Sequence, residues 1–443
     1  MRANNRPAAA LAIAALTMAT LHTGALAAEP LPAPLTDADY MAVDPAEAAL
    51  GQLLFYDPVL SGNDNIACST CHHPRLGTSD GLPLGLGEGG IGLGPDRVVD
   101  PENIPEDRVP RNAPALYNLG ALEYRSMFHD GRVETRADGT LRVPIEDPFF
   151  SRVSGILATQ SAFPVLSADE MAGQVSENDL SKTVRKGRFS GADGAWELIA
   201  ADIAAIPEYR EKFAATYPEI AAGAPITFVE ISNAIAAFMA FEFRADNSAF
   251  DRALRGQSPL DPLAQTGAEL FYGDAGCSAC HTGALQTDHG FHAMGQPQFG
   301  PGKTLPFEAG TRDEGRFLVT GKTSDLYAFR TPSLRNVTLT APYGHTGAYA
   351  DLRAFVVAHL APRAAFKSWT PDMVTLPDLE VSDWETWENP RTRAEIAAAI
   401  KVPDRTLPDD QIDALMAFLS ALEDDPARLG IPEAVPSGLL FEK

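Results

Sequence analysis

The chain has 443 residues, room for two or three domains of ordinary size. With 45% hydrophobic and 21% charged residues it is globular, neither disordered nor fibrous. Asp and Glu outnumber Lys and Arg by 59 to 35, and the net charge of −24 excludes a nucleic-acid or anionic-lipid surface and favours basic protein partners.

Residues 1–27 read as a secretory signal peptide that directs export to the periplasm. Arg2 and Arg6 precede an apolar run from Ala8 to Leu21, and Ala25 and Ala27 form the small-x-small cleavage pattern. A membrane anchor is the alternative reading. The run is short, however, Thr17, Thr20 and His22 interrupt it, and no later stretch nears a spanning length. No membrane span is expected in the mature chain.

Gly51-Gln-Leu-Leu-Phe55-Tyr56 reads as the end of a helix running into Cys68-Ser-Thr-Cys71-His72. The approach and the motif recur as Gly267-Ala-Glu-Leu-Phe271-Tyr272 and Cys277-Ser-Ala-Cys280-His281. Together the two motifs use all 4 cysteines. Two thiols three residues apart reach the vinyl groups on one haem edge, and the adjacent His turns under the ring to ligate iron. A disulfide, a shared zinc site and a thioredoxin-like pair all leave the two histidines unexplained or lack a supporting β-α-β pattern. The motifs therefore predict two covalent c-type haems.

Long Gly/Pro loops follow each motif, at 76–118 and 282–330, and would wrap haem edges. The glycine-rich Gly85–Gly92 has no strand entering it and is not a phosphate cradle. Pro110-Arg-Asn112-Ala-Pro114 in the first half is echoed by Arg330-Thr-Pro-Ser333 in the second. Repeats at this spacing predict two related domains, 28–250 and 251–443, with the break between 245 and 262, where Arg255-Gly-Gln-Ser-Pro259 and Asp261-Pro262 end a helical pattern. Helical periodicity marks 193–206, 228–242, 350–360 and 410–422, and convincing strands are scarce. The expected fold is mostly α.

In order, the blocks Cys68–His72, Pro110–Pro114, Phe128-His-Asp-Gly-Arg132, Gln160-Ser-Ala-Phe-Pro164 with Glu170-Met171, Cys277–His281, Phe329–Asn336 and Ala341–Gly347 resemble the bacterial di-haem cytochrome c peroxidases and the related MauG-type enzymes. The resemblance implies two cytochrome c-like haem domains. The first haem meets hydrogen peroxide, the second transfers electrons, and a calcium ion lies between them.

On that resemblance His72 and His281 are the proximal iron ligands. Family peroxidases of one type carry a second His sixteen residues after the first motif's His; here that position is Glu88, so the first haem is expected to be open. Gln160, Pro164 and Glu170 match the family's distal residues. A positioned carboxylate there moves the proton that peroxide cleavage requires, so Glu170 is read as acid/base and Gln160 as a hydrogen-bonding residue. Ser167-Ala-Asp-Glu170 also fits a helix capping box, and the two readings are compatible. The family's sixth ligand of the second haem is Met or Tyr; here the count along the helix reaches His359, with Met373 as a substitute. The family's inter-haem Trp is His129 here, which is harder to oxidise. Asn112 and the carbonyls of Thr331 and Ser333 are the expected calcium ligands. The roles of Glu88 and His345 stay open, and His289 and His292 are read as propionate neighbours. Trp369, Trp384 and Trp387 are read as core.

The expected activity is a periplasmic di-haem peroxidase fed by a small basic cytochrome c or a cupredoxin. The alternative is a MauG-like enzyme that oxidises aromatic residues of a partner protein, and a third reading is a non-catalytic electron carrier.

Overall fold

The computed structural model describes residues 30–303 and 311–443; the signal-peptide reading at 1–27 lies outside the described residues. The described chain is mostly helical. Its strands are short antiparallel ribbons: Gly90–Ile91 with Val98–Val99, Ser126–Met127 with Val133–Thr135 and Leu141–Arg142, and Phe291–His292 with Phe329–Arg330. The four periodic segments fold as helices Ala195–Ala205, Phe228–Glu242, Leu352–Leu360 and Asp409–Ser420.

Two helix crossings organise two apolar clusters. In the first, Pro45–Tyr56 packs on Phe228–Glu242; in the second, Pro262–Phe271 packs on Asp409–Ser420. Local chemistry starts each helix. The Asp44 side chain accepts from the Ala46 amide at 2.9 Å, Asp261 does the same for Leu263 at 2.9 Å, and Pro follows each cap. Thr227 and Glu230 form a capping box at the head of 228–242.

The crossings superimpose residue for residue in chemistry. At Gly51 a Cβ would lie 1.8 Å from the Ala234 carbonyl oxygen, and at Gly267 a Cβ would lie 1.9 Å from that of Ala414. Only glycine lets the backbones approach so closely. One turn on, Phe55 meets Phe238 with ring centroids 5.1 Å apart, and Phe271 meets Phe418 at 5.0 Å. The repeated Gly-x-x-x-Phe-Tyr of the sequence thus marks a repeated packing unit, and each crossing leads directly into a Cys-x-x-Cys-His segment.

A buried ion pair anchors the segment between the two clusters. Arg335 pairs with Asp251 at 2.7 Å, both side chains wholly buried, and Asp251 also caps the helix Ala249–Leu254 through Ser248. The tail after 420 returns to the first cluster. Glu242 accepts the amides of Arg428, Leu429 and Gly430, Gln52 donates to the carbonyls of Leu429 and Gly430, and Ser437 donates to Asp57. In the second cluster Trp369 is 2% and Trp387 6% exposed, their rings 4.6 Å apart, with Phe299 stacked on Trp369.

Candidate haem sites

Both motifs fold as a single tight turn. Cys68–Cys71 is one helical turn, and the His72 amide donates to the Cys68 carbonyl at 3.0 Å. Cys277–Ala279 is a 3₁₀ turn, and the His281 amide donates to the Cys277 carbonyl at 2.9 Å. All four cysteines are unpaired and half-buried.

The two imidazoles are held alike. His72 Nδ1 lies 3.0 Å from the Thr78 carbonyl, and His281 Nδ1 lies 2.9 Å from that of Gln286. Thr78 and Gln286 both adopt left-handed backbone, φ +59° and +49°, which few side chains tolerate. A carbonyl acceptor fixes Nδ1 as the protonated nitrogen and leaves Nε2 with a lone pair, the form that binds iron. Burial pushes both pKa values down and keeps the rings neutral, against the opposing pull of those carbonyls. Paired thiols, a neutral imidazole and a tied Nδ1 fit covalent c-type haem at each motif.

Glu170 lies within electrostatic reach of the first motif. Its carboxylate raises the pKa of His72 through space, as the Pro114 carbonyl also does, and it reaches Cys71 too. It sits in the π-helical turn Ala168–Ala172, where Ser167 makes no side-chain cap, so the capping-box reading is not realised. The π geometry rotates the side chain out of the register an α-turn would give it. Among the described residues, neither the Glu170 carboxylate nor the Gln160 amide has a hydrogen-bond partner. Both are half-buried and uncommitted. Pro164 starts the 3₁₀ turn between them. Phe163, beside it, meets Phe128 edge-on at 6.0 Å, and Arg132 lies 3.7 Å over the Phe128 ring.

His359 lies within electrostatic reach of His281 in the second motif. It lies near the end of the helix Leu352–Leu360 with Nδ1 buried, and its ring meets Phe355 at 4.3 Å. Burial pushes its pKa down to about 4, and the neighbouring His281 adds to the fall. Met373, by contrast, is 45% exposed on an outer turn.

The blocks quoted from the sequence converge between the motifs. His129 Nε2 lies 3.1 Å from the Asn112 carbonyl, and its own carbonyl accepts the Arg330 amide at 2.7 Å. The Asn112 amide donates to the His345 carbonyl at 2.8 Å. Burial and Arg111 push His129 down to about 4. His345 stacks on Phe329 at 3.8 Å with both ring nitrogens buried and unpartnered, its pKa pushed by burial to about 3. Arg111 bridges Asp130 at 2.8 Å and Asp313 at 2.7 Å in a buried triad. Burial alone would raise Asp130, but Arg111 and Arg132 hold it well below the usual carboxylate range.

For calcium, the Asn112 amide nitrogen donates to the Leu82 carbonyl at 2.6 Å, and its oxygen meets no donor among the described residues. The Thr331 carbonyl accepts the Thr287 hydroxyl at 2.8 Å, and the Ser333 hydroxyl accepts the Arg335 amide at 3.1 Å. These are hard oxygen donors of the right kind, and His129 touches both the 112 and the 330 segments.

Sequence reasoning missed several groups. Arg97 is buried beside Cys71 and Asp80, donates to the Gly87 and Gly90 carbonyls, and keeps a buried Nε without a partner. Arg330 Nη1 is likewise buried and unpartnered, and burial lowers its pKa. Orphaned guanidinium N–H groups fit haem carboxylates. Lys303 is pushed down by burial and faces both Glu170 and Asp169. His289 instead pairs with Glu123 at 3.0 Å and His292 with Asp288 at 2.8 Å. Cys280 lies close to Asp288 and His292, but its sulfur is the one a thioether requires, so this trio is not read as a metal site.

The profile of the family described as "Di-haem cytochrome c peroxidase" matches residues 45–259. Over that segment the chain is similar to that family, and the curated relatives it matches include both cytochrome c peroxidases and MauG proteins. It is 29% identical over 347 residues to the cytochrome c551 peroxidase of Pseudomonas aeruginosa, covering 78% of this chain and 80% of that protein. It is 28% identical over 414 residues to the methylamine utilization protein MauG of Paracoccus denitrificans, covering 89% and 92%. Among solved structures, a MauG-like protein associated with microbial copper homeostasis is similar with a TM-score of 0.56 and 25% identity, covering 90% of this chain and 94% of that one.

Proposed function

We propose that this protein is an exported di-haem peroxidase that reduces hydrogen peroxide in the periplasm with electrons from a small basic cytochrome c or a cupredoxin. In this reading the chain is two cytochrome c-like haem domains, 28–250 and 251–443. Cys68, Cys71 and His72 hold the first haem; Cys277, Cys280, His281 and His359 hold the second. When bound, the haems supply the iron that accepts peroxide oxygen and the route by which electrons reach it.

The observation that carries the reading is the relation of Glu170 to His72. A carboxylate with no hydrogen-bond partner among the described residues lies within electrostatic reach of an imidazole whose Nδ1 is already tied. Glu170 takes the proton from the inner peroxide oxygen and returns it to the outer one, which leaves as water. Gln160 orients peroxide through its free amide, and Pro164 shapes the wall between them. Buried Arg97 and Arg330 offer donors to haem carboxylates. Asn112, with the Thr331 and Ser333 carbonyls, would hold calcium between the halves and stiffen the inter-haem contact. The acidic surface, net −24, draws a basic donor.

Stopped-flow mixing of the resting protein with peroxide, followed by steady-state turnover with reduced cytochrome c, tests this. Fast reaction and fast turnover are expected; a spectrum untouched by peroxide overturns it and leaves the electron-carrier reading.

A second reading, oxidation of aromatic residues on a partner protein, is supported by the similarity to MauG over 89% of the chain and by His359 in place of Met. Slow turnover with a long-lived oxidised state would favour it over the first.

A further inference from the structure

The loop Gly85–Gly92 has glycine at 85, 87, 89, 90 and 92, and such a segment has little intrinsic order. In the fold it is fastened at almost every residue. The Val109 amide donates to the Gly85 carbonyl at 3.0 Å and the Asp100 amide to that of Gly89 at 2.8 Å. Arg97 Nη2 donates to the carbonyls of Gly87 and Gly90 at 2.6 and 2.8 Å.

Glu88 is the hub of this stapling. Its side chain is buried, the residue being 1% exposed. Its Oε1 accepts the side-chain amides of Asn63, Asn65 and Asn103 at 2.8, 2.6 and 2.8 Å. Independent partners set the orientation of two of those amides, Asn63 and Asn103. Asn178 Oδ1 accepts the Ser181 amide as a helix cap, so its nitrogen faces Asn63 Oδ1 at 2.9 Å, and the Asn63 nitrogen must turn to Glu88. Gln174 donates to the Ile104 carbonyl and to Asn103 Oδ1, so the Asn103 nitrogen also turns to Glu88. The ring of amides is therefore an anion cage and not a cation site. The second oxygen, Oε2, is buried and has no hydrogen-bond partner among the described residues, an arrangement that costs stability.

The cage is joined to the turn that carries Glu170. The Glu88 amide donates to the Asp169 carbonyl at 3.0 Å, and at Gly87 a Cβ would lie 1.8 Å from that same oxygen. The Met171 carbonyl accepts the Gly62 amide at 2.9 Å, and the Ala172 carbonyl accepts Asn178 Nδ2 at 3.0 Å. Glu170 thus has backbone neighbours tied on both sides and, among the described residues, a carboxylate without a hydrogen-bond partner. Asn63 and Asn65 also sit just before Cys68, so the cage spans the haem-attachment segment and the turn above it.

We propose that Glu88 is the positioning residue for Glu170: its carboxylate, gripped by Asn63, Asn65 and Asn103, locks the glycine loop against Asp169 and sets the Glu170 turn over the first haem in the resting protein. This rests on Glu170 acting at that haem. No bond is made or broken by Glu88 itself. A carboxylate aligned in advance loses no time to rearrangement when peroxide arrives.

The test compares the holoprotein with Glu88→Ala and Asn65→Ala. Three readouts are taken: hydrogen exchange of the 85–90 amides, the ferric spin-state spectrum of the first haem, and the second-order rate of the fully oxidised protein with hydrogen peroxide. In Glu88→Ala, exchange at 85–90 should quicken, the first-haem spectrum should change while the second stays as it was, and the peroxide rate should fall about tenfold or more. Faster exchange with the first-haem spectrum and peroxide rate kept within about twofold of the parent overturns the proposal, since the cage would then be structural only. If Glu88→Ala does not fold or load haem, Asn65→Ala decides, with a fall of about threefold expected and an unchanged rate and spectrum overturning it. If the parent protein itself ignores peroxide, the peroxidase reading fails, and the exchange and spin-state comparison still judges the positioning role.

Discussion

A Cβ on Gly51 would stand 1.8 Å from the carbonyl oxygen of Ala234, so the helices 45–56 and 228–242 touch backbone to backbone at that point. Gly51→Ala is expected to force them apart and to lower stability by about 1–3 kcal/mol, as overpacking does. Gly267→Ala should act in the same way on the second crossing against Ala414. Thermal unfolding of the holoprotein checks both, and unchanged midpoints would show that the contact is not as close as described.

Glu170→Gln keeps the shape of the side chain and removes its ability to take a proton. The rate of reaction with peroxide should fall by about 10²–10⁴-fold, the range a general acid/base supplies. Haem content and the resting spectrum should stay as in the parent, because Glu170 makes no hydrogen bond among the described residues. A rate within a few-fold of the parent would remove Glu170 from the chemistry.

His359→Met tests the second haem. A Met/His pair raises a haem's potential, so spectroelectrochemistry should show the second haem reducing at a higher potential while the first is little changed. His359→Ala should instead leave the second haem with an open position and a high-spin ferric signal. If neither variant alters that haem, His359 is a packing residue against Phe355.

Arg111→Met removes the ion-pair partner of the buried Asp313 carboxylate and leaves Asp130 with Arg132 alone. In the parent, Arg111 holds both below the usual carboxylate range, against burial that would raise them. A depressed folded-state pKa gives stability that is present above the unfolded value and lost as pH falls through the folded one. Without Arg111 burial raises Asp313, Asp130 keeps only the Arg132 pairing against it, and the charged forms are penalised at neutral pH. The variant should therefore be less stable by about 3–5 kcal/mol near pH 7, with the gap narrowing as pH drops towards 4 and the carboxylates protonate. Denaturant titrations at the two pH values measure this; a gap that widens in acid contradicts it.

Local chemistry made much of this protein legible in one dimension. Cys68–His72 and Cys277–His281 carry the haem-attachment pattern in five consecutive residues, because a haem edge sets that spacing. The repeated Gly-x-x-x-Phe-Tyr before each motif, the capped helices and the mostly α content are likewise short-range properties of the chain. Glu170, Gln160 and His359 were singled out by resemblance and counting. Pattern alone left Glu170 open to a helix-cap reading, which the π-helical turn does not form.

Pairings across long stretches of chain were beyond any such reading. Arg111 reaches Asp313 across 202 positions, Arg335 reaches Asp251 across 84, and the tail after 420 folds back on Glu242 and Asp57. Glu88, an unremarkable carboxylate in a glycine loop, acquires three amide donors from segments that precede and follow it. Covalent haem attachment and helix formation depend on neighbours a few bonds apart, so the residue order alone determined them. The burial that makes a lone charge seek a partner arises only once distant segments pack together, so the amide cage around Glu88, the buried Arg111 triad and the tying of the Glu170 turn were decided by the tertiary structure.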